Sequence, residues 1–194
     1  MSYNPSEPFD VLMAALQSFG KMPESTQQMI IDKCVIREYK KGEIILNYGD
    51  TCRYVYFILT GAAASMFELY DKERISWVML QHDVFISILS FYGEKPSEEK
   101  IEALADTRCI CLSKHDLDKI TSVCIAFKEI RLKLTEHYYQ QLAWQLYMMH
   151  LKPRDRKSFL RTIRPQFFEL ANVEFLARFL GVGRSTLYNG KKPE

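Results

Sequence analysis

Between Ile125 and Leu151 the chain runs 27 residues without a glycine or a proline. As one helix that stretch is about 40 Å long. A β domain of roughly 100 residues is too narrow to cover such a helix from end to end. Its apolar residues can be read in heptads: Phe127, Ile130, Leu134, His137, Gln141, Trp144 and Met148. That spacing is a dimer-type seam with two polar positions at its centre. The other reading lays the helix on its own barrel with Tyr138, Leu142 and Leu146 inward. The length favours the seam, so a homodimer is the expectation.

What precedes the helix has a different period. Phe9, Leu12, Met13, Leu16 and Phe19 recur at helical spacing, Gly20 can stop the turn, and Met29, Ile30 and Cys34 follow Pro23. From about Val35 short β-branched or aromatic runs alternate with turn residues. The runs are EIIL, RYVYFIL, AASMFEL and RISWVML; the turns are KKGE, YGD, TGA, YDKE and QHD. Turns about every ten residues predict a small antiparallel sandwich or barrel. Residues 101–112 supply one or two last strands, and Ser113 is placed to cap a short helix over HDLDKI.

After the long helix, Lys152-Pro153-Arg154 breaks the pattern. Three parts are expected: 1–124 as a β domain with flanking helices, 125–151 as a dimerisation helix, and 152–194 as a small helical module that leans on the rest. The module is basic. It holds 10 Lys+Arg and 4 Asp+Glu, against 16 and 20 in residues 1–151. A basic piece on an acidic body fits a polyanion-binding module or a solvated charged surface.

The module's order favours the first. In VEFLARFLGVGRSTLYNG, Ala177 lies four residues before Gly181 and Leu187 six after it. A small residue lets two helices approach, a glycine takes the positive-φ turn, and an apolar residue pins the second helix on the first. With Leu187 inward, Ser185 and Asn189 face out, flanked by Thr186 and Tyr188, and Arg184 stands at the helix start. Arg can hold guanine and Asn adenine in a major groove. Arg154, Arg156, Lys157, Arg161, Arg164, Lys191 and Lys192 are placed to contact phosphates. Gly190 and Pro193 limit the second helix to about two turns.

This order resembles the Crp/Fnr family of bacterial transcription regulators over nearly the whole chain. The markers are Lys41-Gly42-Glu43, Gly49-Asp50, Tyr56-Phe57-Ile58 and Gly61 in the β domain. The fold class implied is α+β: a cyclic-nucleotide-binding-like jelly roll (double-stranded β-helix) with flanking helices, a long dimerisation helix and a C-terminal helix-turn-helix. The family's base-reading positions fall on Arg184, Ser185 and Asn189. Arg184 keeps the family type; Ser185 and Asn189 replace a Glu and an Arg, which implies a different operator.

The ligand cassette departs further. Cyclic-nucleotide binders of this fold carry Gly-Glu after a Phe-x strand end, and an Arg about ten residues later. Here Phe85-Ile86 are followed by Ser87-Ile88, and Ser97, Glu98 and Glu99 stand where the Arg is expected. Gly93-Glu94 comes too late. Carboxylates repel a phosphate, so cyclic AMP is not expected to bind in the usual mode. Phe85, Ile86, Ser87, Ser97 and Glu98 are the candidate pocket residues for an effector of other chemistry.

Other chemistry finds little support. Cys34, Cys52, Cys109, Cys111 and Cys124 are odd in number and irregularly spaced, which suits reduced cytoplasmic thiols. Cys109-x-Cys111 on a strand reads as packing before redox chemistry. His82, His115, His137 and His150 are scattered, so no metal or cofactor is expected. No catalytic motif appears, so an enzyme is not expected. No run of about 18 apolar residues exists to span a membrane, and the N-terminal MSYNPSEPF lacks the layout of a signal peptide. The function expected is a DNA-binding regulator whose partners are double-stranded DNA, a second copy and an unidentified small effector. The alternative is a ligand sensor or scaffold with a degenerate helix-turn-helix.

Overall fold

The structure, a computed structural model, describes residues 7–170 and 173–188. The strands form two four-stranded antiparallel sheets. One has the order β1 (Val35–Tyr39), β8 (Thr107–Ser113), β3 (Tyr54–Thr60) and β6 (Val84–Phe85). The other runs β2 (Ile44–Leu46), β7 (Glu99–Ala103), β4 (Ala63–Leu69) and β5 (Lys72–Met79). This is the strand order of a jelly roll.

The turn residues do the work their chemistry allows. Leu69 pairs with Lys72, so β4 and β5 are joined by Tyr70 and Asp71 alone, at φ 54° and 57°. Two successive positive φ values match the right-handed twist of the strands. Gly61, at φ +90°, has no substitute. A Cβ there would lie 2.5 Å from the Asp106 carbonyl oxygen.

Helices α1 (Glu7–Gln17) and α2 (Glu24–Lys33) precede the sandwich, and α3 (Ile88–Gly93) links β6 to β7. Helix α4 (Lys114–Val123) starts at Ser113, whose Oγ accepts from the Asp116 N–H at 3.0 Å. Such a cap is worth about 1 kcal/mol. Helix α5 (Ile125–His150) is the long one. Pro153 opens α6 (Pro153–Ile163), where a missing N–H costs nothing. Then come α7 (Phe167–Leu170), α8 (Val173–Leu180) and α9 (Arg184–Tyr188). Among the described residues no helix is long and apolar enough to cross a membrane.

Two cores result from one alternation. On β4, Ala63 joins the core inside the sandwich with Ile58, Ile101 and Met79, closed at one side by Ile30 of α2 and Ile130 of α5. Ala64 and Met66 point the other way, with Ile75 and Val78 of β5. There they meet Met148 of α5, Leu160, Phe167, Leu180 and Leu187. The C-terminal helices thus lean on the outer face of β4 and β5.

Most of the heptad seam read from the sequence packs within the protomer, while His137 and Trp144 stay exposed. Phe127, Ile130 and Met148 are buried against their own chain, at 3%, 1% and 1% exposure. Leu134 and Gln141 are half-buried on the same side. His137 lies edge-on to Phe19 at 5.7 Å, and Trp144 packs against Tyr147 and Phe159. The physical reason is a second stripe with the same seven-residue repeat but another phase. Ile125, Leu132, Tyr139 and Leu146 are 78%, 59%, 74% and 62% exposed, and Leu142 and Met149 flank them. Of the residues in the other reading, Tyr138 turns inward while Leu142 and Leu146 remain largely exposed.

Candidate functional site

A cleft of about 450 Å³ runs from inside the sandwich to the inner face of α5. Its walls are mostly apolar: Tyr56, Trp77, Met79, Phe85 and Phe91 on the sandwich side, Leu134 and Tyr138 on α5. Tyr56 and Phe85 stack, with ring centroids 4.7 Å apart. Its polar groups include Arg131 and Thr135 on α5, and Ser65, Ser76 and Glu99, which lie together.

That group has a local cause. Along the β4–β5 pair, Ser65 lies opposite Trp77 but Met66 lies opposite Ile75, so Ser76 is the extra residue of a bulge. A bulge re-aims the side chain it inserts. The Ser76 hydroxyl donates to the Ser65 carbonyl at 3.1 Å and lies 3.4 Å from Glu99 Oε2. The Ser65 hydroxyl also donates to Glu99 Oε2. The Ser76 carbonyl accepts from Gln145 of α5, which ties this corner to the long helix.

The five residues expected to line a pocket divide. Phe85 and Ile86 line the cleft. Ser87 and Ser97 are buried but bond each other at 2.9 Å, and Ser97 donates to the Glu99 carbonyl. Glu98 points to solvent, 3.9 Å from Lys95. Its neighbour Glu99 is the carboxylate that faces the cleft. Glu98 lies in the bend before β7, which starts at Glu99, so the carboxylate on the cleft is one residue further along than the sequence reading placed it.

A second set of contacts joins the cleft wall to the C-terminal helices. The Val84 N–H donates to the Tyr138 hydroxyl at 2.6 Å. Burial, and then the Asp83 carboxylate, push the Tyr138 phenol well above its usual range. Asp83 in turn accepts from Arg164 Nη2 at 2.6 Å, while Arg164 Nη1 donates to the Val78 carbonyl at 3.1 Å.

On the C-terminal module, Ala177 is buried, Gly181 takes φ +63° and Leu187 is 4% exposed. Arg184 and Ser185 are exposed and Thr186 half-exposed at the start of α9. Arg184 pairs with Glu174 at 3.0 Å, with both side chains over 60% exposed. Tyr188 is the last residue of α9; Asn189, Lys191 and Lys192 lie outside the described residues.

Three of the cations expected on phosphates are spent inside the chain. Arg156 donates to the carbonyls of Met149, Leu151 and Leu180, closing the ends of α5 and α8. Lys157 Nζ donates to the Leu187 carbonyl at 2.7 Å. Arg164 is the clamp on Asp83. A guanidinium reads the same in a sequence whether it meets a carbonyl or a phosphate, since both accept its fork of donors. Arg154 remains exposed, 3.7 Å from Asp155.

The cysteines are free thiols. Burial pushes Cys109 and Cys111 up to about 12, so neither is a thiolate at neutral pH. Among the described residues, no group of three or more His, Cys, Asp or Glu is arranged to hold a metal ion.

Residues 36–123 match the family profile described as Cyclic nucleotide-binding domain. No curated protein sequence matches the chain. Solved structures similar in fold include FixK2 from Bradyrhizobium japonicum, with a TM-score of 0.67 at 19% identity over 81% of this chain and 82% of that one. A transcriptional regulator of the Crp/Fnr family from Eubacterium rectale gives 0.66 at 17% identity over 87% and 82%. CooA from Carboxydothermus hydrogenoformans gives 0.64 at 15% identity over 91% and 80%. In fold, then, this chain is a cyclic-nucleotide-binding-type sandwich with following helices, similar over most of its length to structures of Crp/Fnr-type regulators.

Proposed function

We propose that the protein is a cytoplasmic DNA-binding transcription regulator, with α8 and α9 as the helix-turn-helix and the cleft as its effector site. The observation that carries this reading is the conjunction of buried Ala177, positive-φ Gly181 and buried Leu187 with exposed Arg184 and Ser185. That conjunction leaves the first turn of α9 open to a major groove. The Arg184–Glu174 pair is a surface pair of little strength, so DNA can displace it. Two copies would pair through the outer stripe of α5, from Ile125 to Met149. The double-stranded site would then be near-palindromic, with half-sites about one helical turn apart. Cyclic AMP lacks its usual anchors here, because Ser87 and Ser97 are bonded to each other and Glu99 faces the cleft. An effector would act by shifting α5, through the contacts Gln145 makes to Ser76 and Tyr138 to Val84.

The test is a selection from a random DNA library, followed by titration of the selected site at two salt concentrations. Affinity should fall steeply with salt as phosphates are neutralised. Arg184→Ala should cost about 1–3 kcal/mol on the selected site and less on unrelated DNA. A flat salt response, or no selected site, overturns the reading. One observation favours a second reading, a sensor without DNA: the helix pair is docked on its own sheet, with Arg178 3.8 Å from Glu73. That reading predicts a dimer from which the same selection recovers nothing.

A further inference from the structure

We infer that the cleft takes a largely apolar molecule with a cationic or hydrogen-bond-donating head, and that Glu99 is the residue that holds the head. This deepens the effector-site reading above and rests on it.

The size and walls set the body of the ligand. A cleft of about 450 Å³ is in the range of small-molecule sites. Tyr56, Phe85 and Phe91 offer ring faces and Met79 a flexible wall.

The charges set the head. Arg131 is the one cation among the lining residues, and it is committed to Asp118 at 2.9 Å and to Thr121 at 3.2 Å. Lys100, the neighbour of Glu99 along β7, turns to Glu73 at 2.6 Å and Glu102 at 3.2 Å. Among the described residues no Lys, Arg or His forms an ion pair with Glu99. Its Oε2 accepts from Ser65 and is within reach of Ser76. The Ser65 hydroxyl fixes the carboxylate without neutralising it, while the Ser76 hydroxyl is spent on the Ser65 carbonyl. An anion entering this corner meets a negative charge in surroundings of low polarity; an ammonium or amidinium meets its complement. The bulge at Ser76 is the sequence device behind the arrangement. Without the extra residue, its hydroxyl would not lie beside Ser65 and Glu99.

The experiment uses the full chain and three probes sharing one skeleton: phenylhexylamine, phenylhexanol and phenylhexanoate, with cyclic AMP as a fourth. Binding is read by calorimetry and by the change in tryptophan fluorescence, since Trp77 lines the cleft. The amine should bind at least about tenfold more tightly than the alcohol, as a charge-assisted hydrogen bond allows. The carboxylate and cyclic AMP should bind weakest. Glu99→Gln should erase the preference for the amine over the alcohol, with circular dichroism and the urea unfolding midpoint reporting that the variant is folded. Should Glu99→Gln fail to fold, the order of the four probes on the unaltered protein still decides. A carboxylate or cyclic AMP that binds as tightly as the amine overturns the proposal, and so does binding of none of the four. No DNA is present in the measurement, so its failure leaves the DNA-reading proposal standing, and a failed DNA selection leaves this one standing.

Discussion

Helix α5 has two apolar faces that meet different surroundings. On the inner face Phe127, Ile130 and Met148 disappear into the protomer, and Gly20 of the α1–α2 loop makes room for Ile130, 3.1 Å from where a Cβ would sit. On the outer face Ile125, Leu132, Tyr139 and Leu146 stand in a row, each more than half exposed. The inner face is long in contacts but short in exposed area, as expected of a helix that closes a domain. The outer one is a continuous apolar patch at heptad spacing, which a soluble monomer rarely leaves open. A helix can therefore close its own core and still present a second apolar face. The division lies in which stripe its own domain reaches first.

The largest effect tests the outer face. Leu132→Glu with Leu146→Glu would set charges into a two-fold seam, where each substitution counts twice. Burying them costs several kcal/mol, about 4 or more in total, so if this stripe is the proposed seam, sedimentation should find a monomer at concentrations where the unaltered protein forms the proposed dimer. The unfolding midpoint of the variant should no longer depend on protein concentration. A dimer that survives both substitutions would move the interface off this stripe. Next comes the inner face. Ile130→Ala removes a fully buried side chain and should cost about 3 kcal/mol by urea denaturation, with the association constant little changed. If Ile130→Ala weakens the dimer as much as the charged pair does, the two faces are not separate.

The fold's β part was legible because its turns carry their own chemistry. Gly61 cannot be replaced, and Tyr70-Asp71 sits between strands whose inward and outward residues alternate. The faces of α5 were not legible. Phe127, Ile130, Leu134 and Ile125, Leu132, Tyr139 follow the same repeat in two phases, and nothing local says which phase the sandwich will take. The C-terminal turn was readable at Ala177, Gly181 and Leu187, because each position demands a residue type. The cations around it were not, since Arg156, Lys157 and Arg164 satisfy carbonyls and a carboxylate that only the fold brings near. Glu99 was missed for Glu98 by a single residue, because nothing local in the sequence says that β7 starts at Glu99.

Smaller effects sharpen the account of what holds the inner face. Arg164 reaches across from the C-terminal helices to Asp83 and Val78, with both charged side chains about four-fifths covered. Arg164→Met keeps much of the volume and removes the fork, leaving Asp83 without its partner. A loss of about 2 kcal/mol is expected, as for a charge-assisted hydrogen bond. Hydrogen exchange should quicken in α6 to α8 while β3 and β8 stay protected. Uniform quickening across the chain would mean that the clamp supports the whole fold rather than the docking of one module.

The least of these effects is a matter of pH. Asp118 of α4 accepts from Lys114 at 2.8 Å and from Arg131 of α5 at 2.9 Å. Burial raises its pKa, but the hydrogen bonds from Lys114 and Arg131 outweigh that and hold the carboxyl below its ordinary range. A carboxyl lowered by folding adds stability in full above the unfolded value, about pH 4. That stability is lost as pH falls through the lower folded value. The side chain is 43% exposed, so solvent and salt thin the contribution. Asp118→Asn should therefore leave a shallower decline in stability below about pH 4 and a small loss at neutral pH. Added salt should shrink the difference between the two proteins, because the pair is only partly covered. If the acid limb of Asp118→Asn overlays that of the unaltered protein, the ion pair contributes nothing to the inner face. Phe127, Ile130 and the cover of Leu117 then hold α5 to α4 by apolar contact alone.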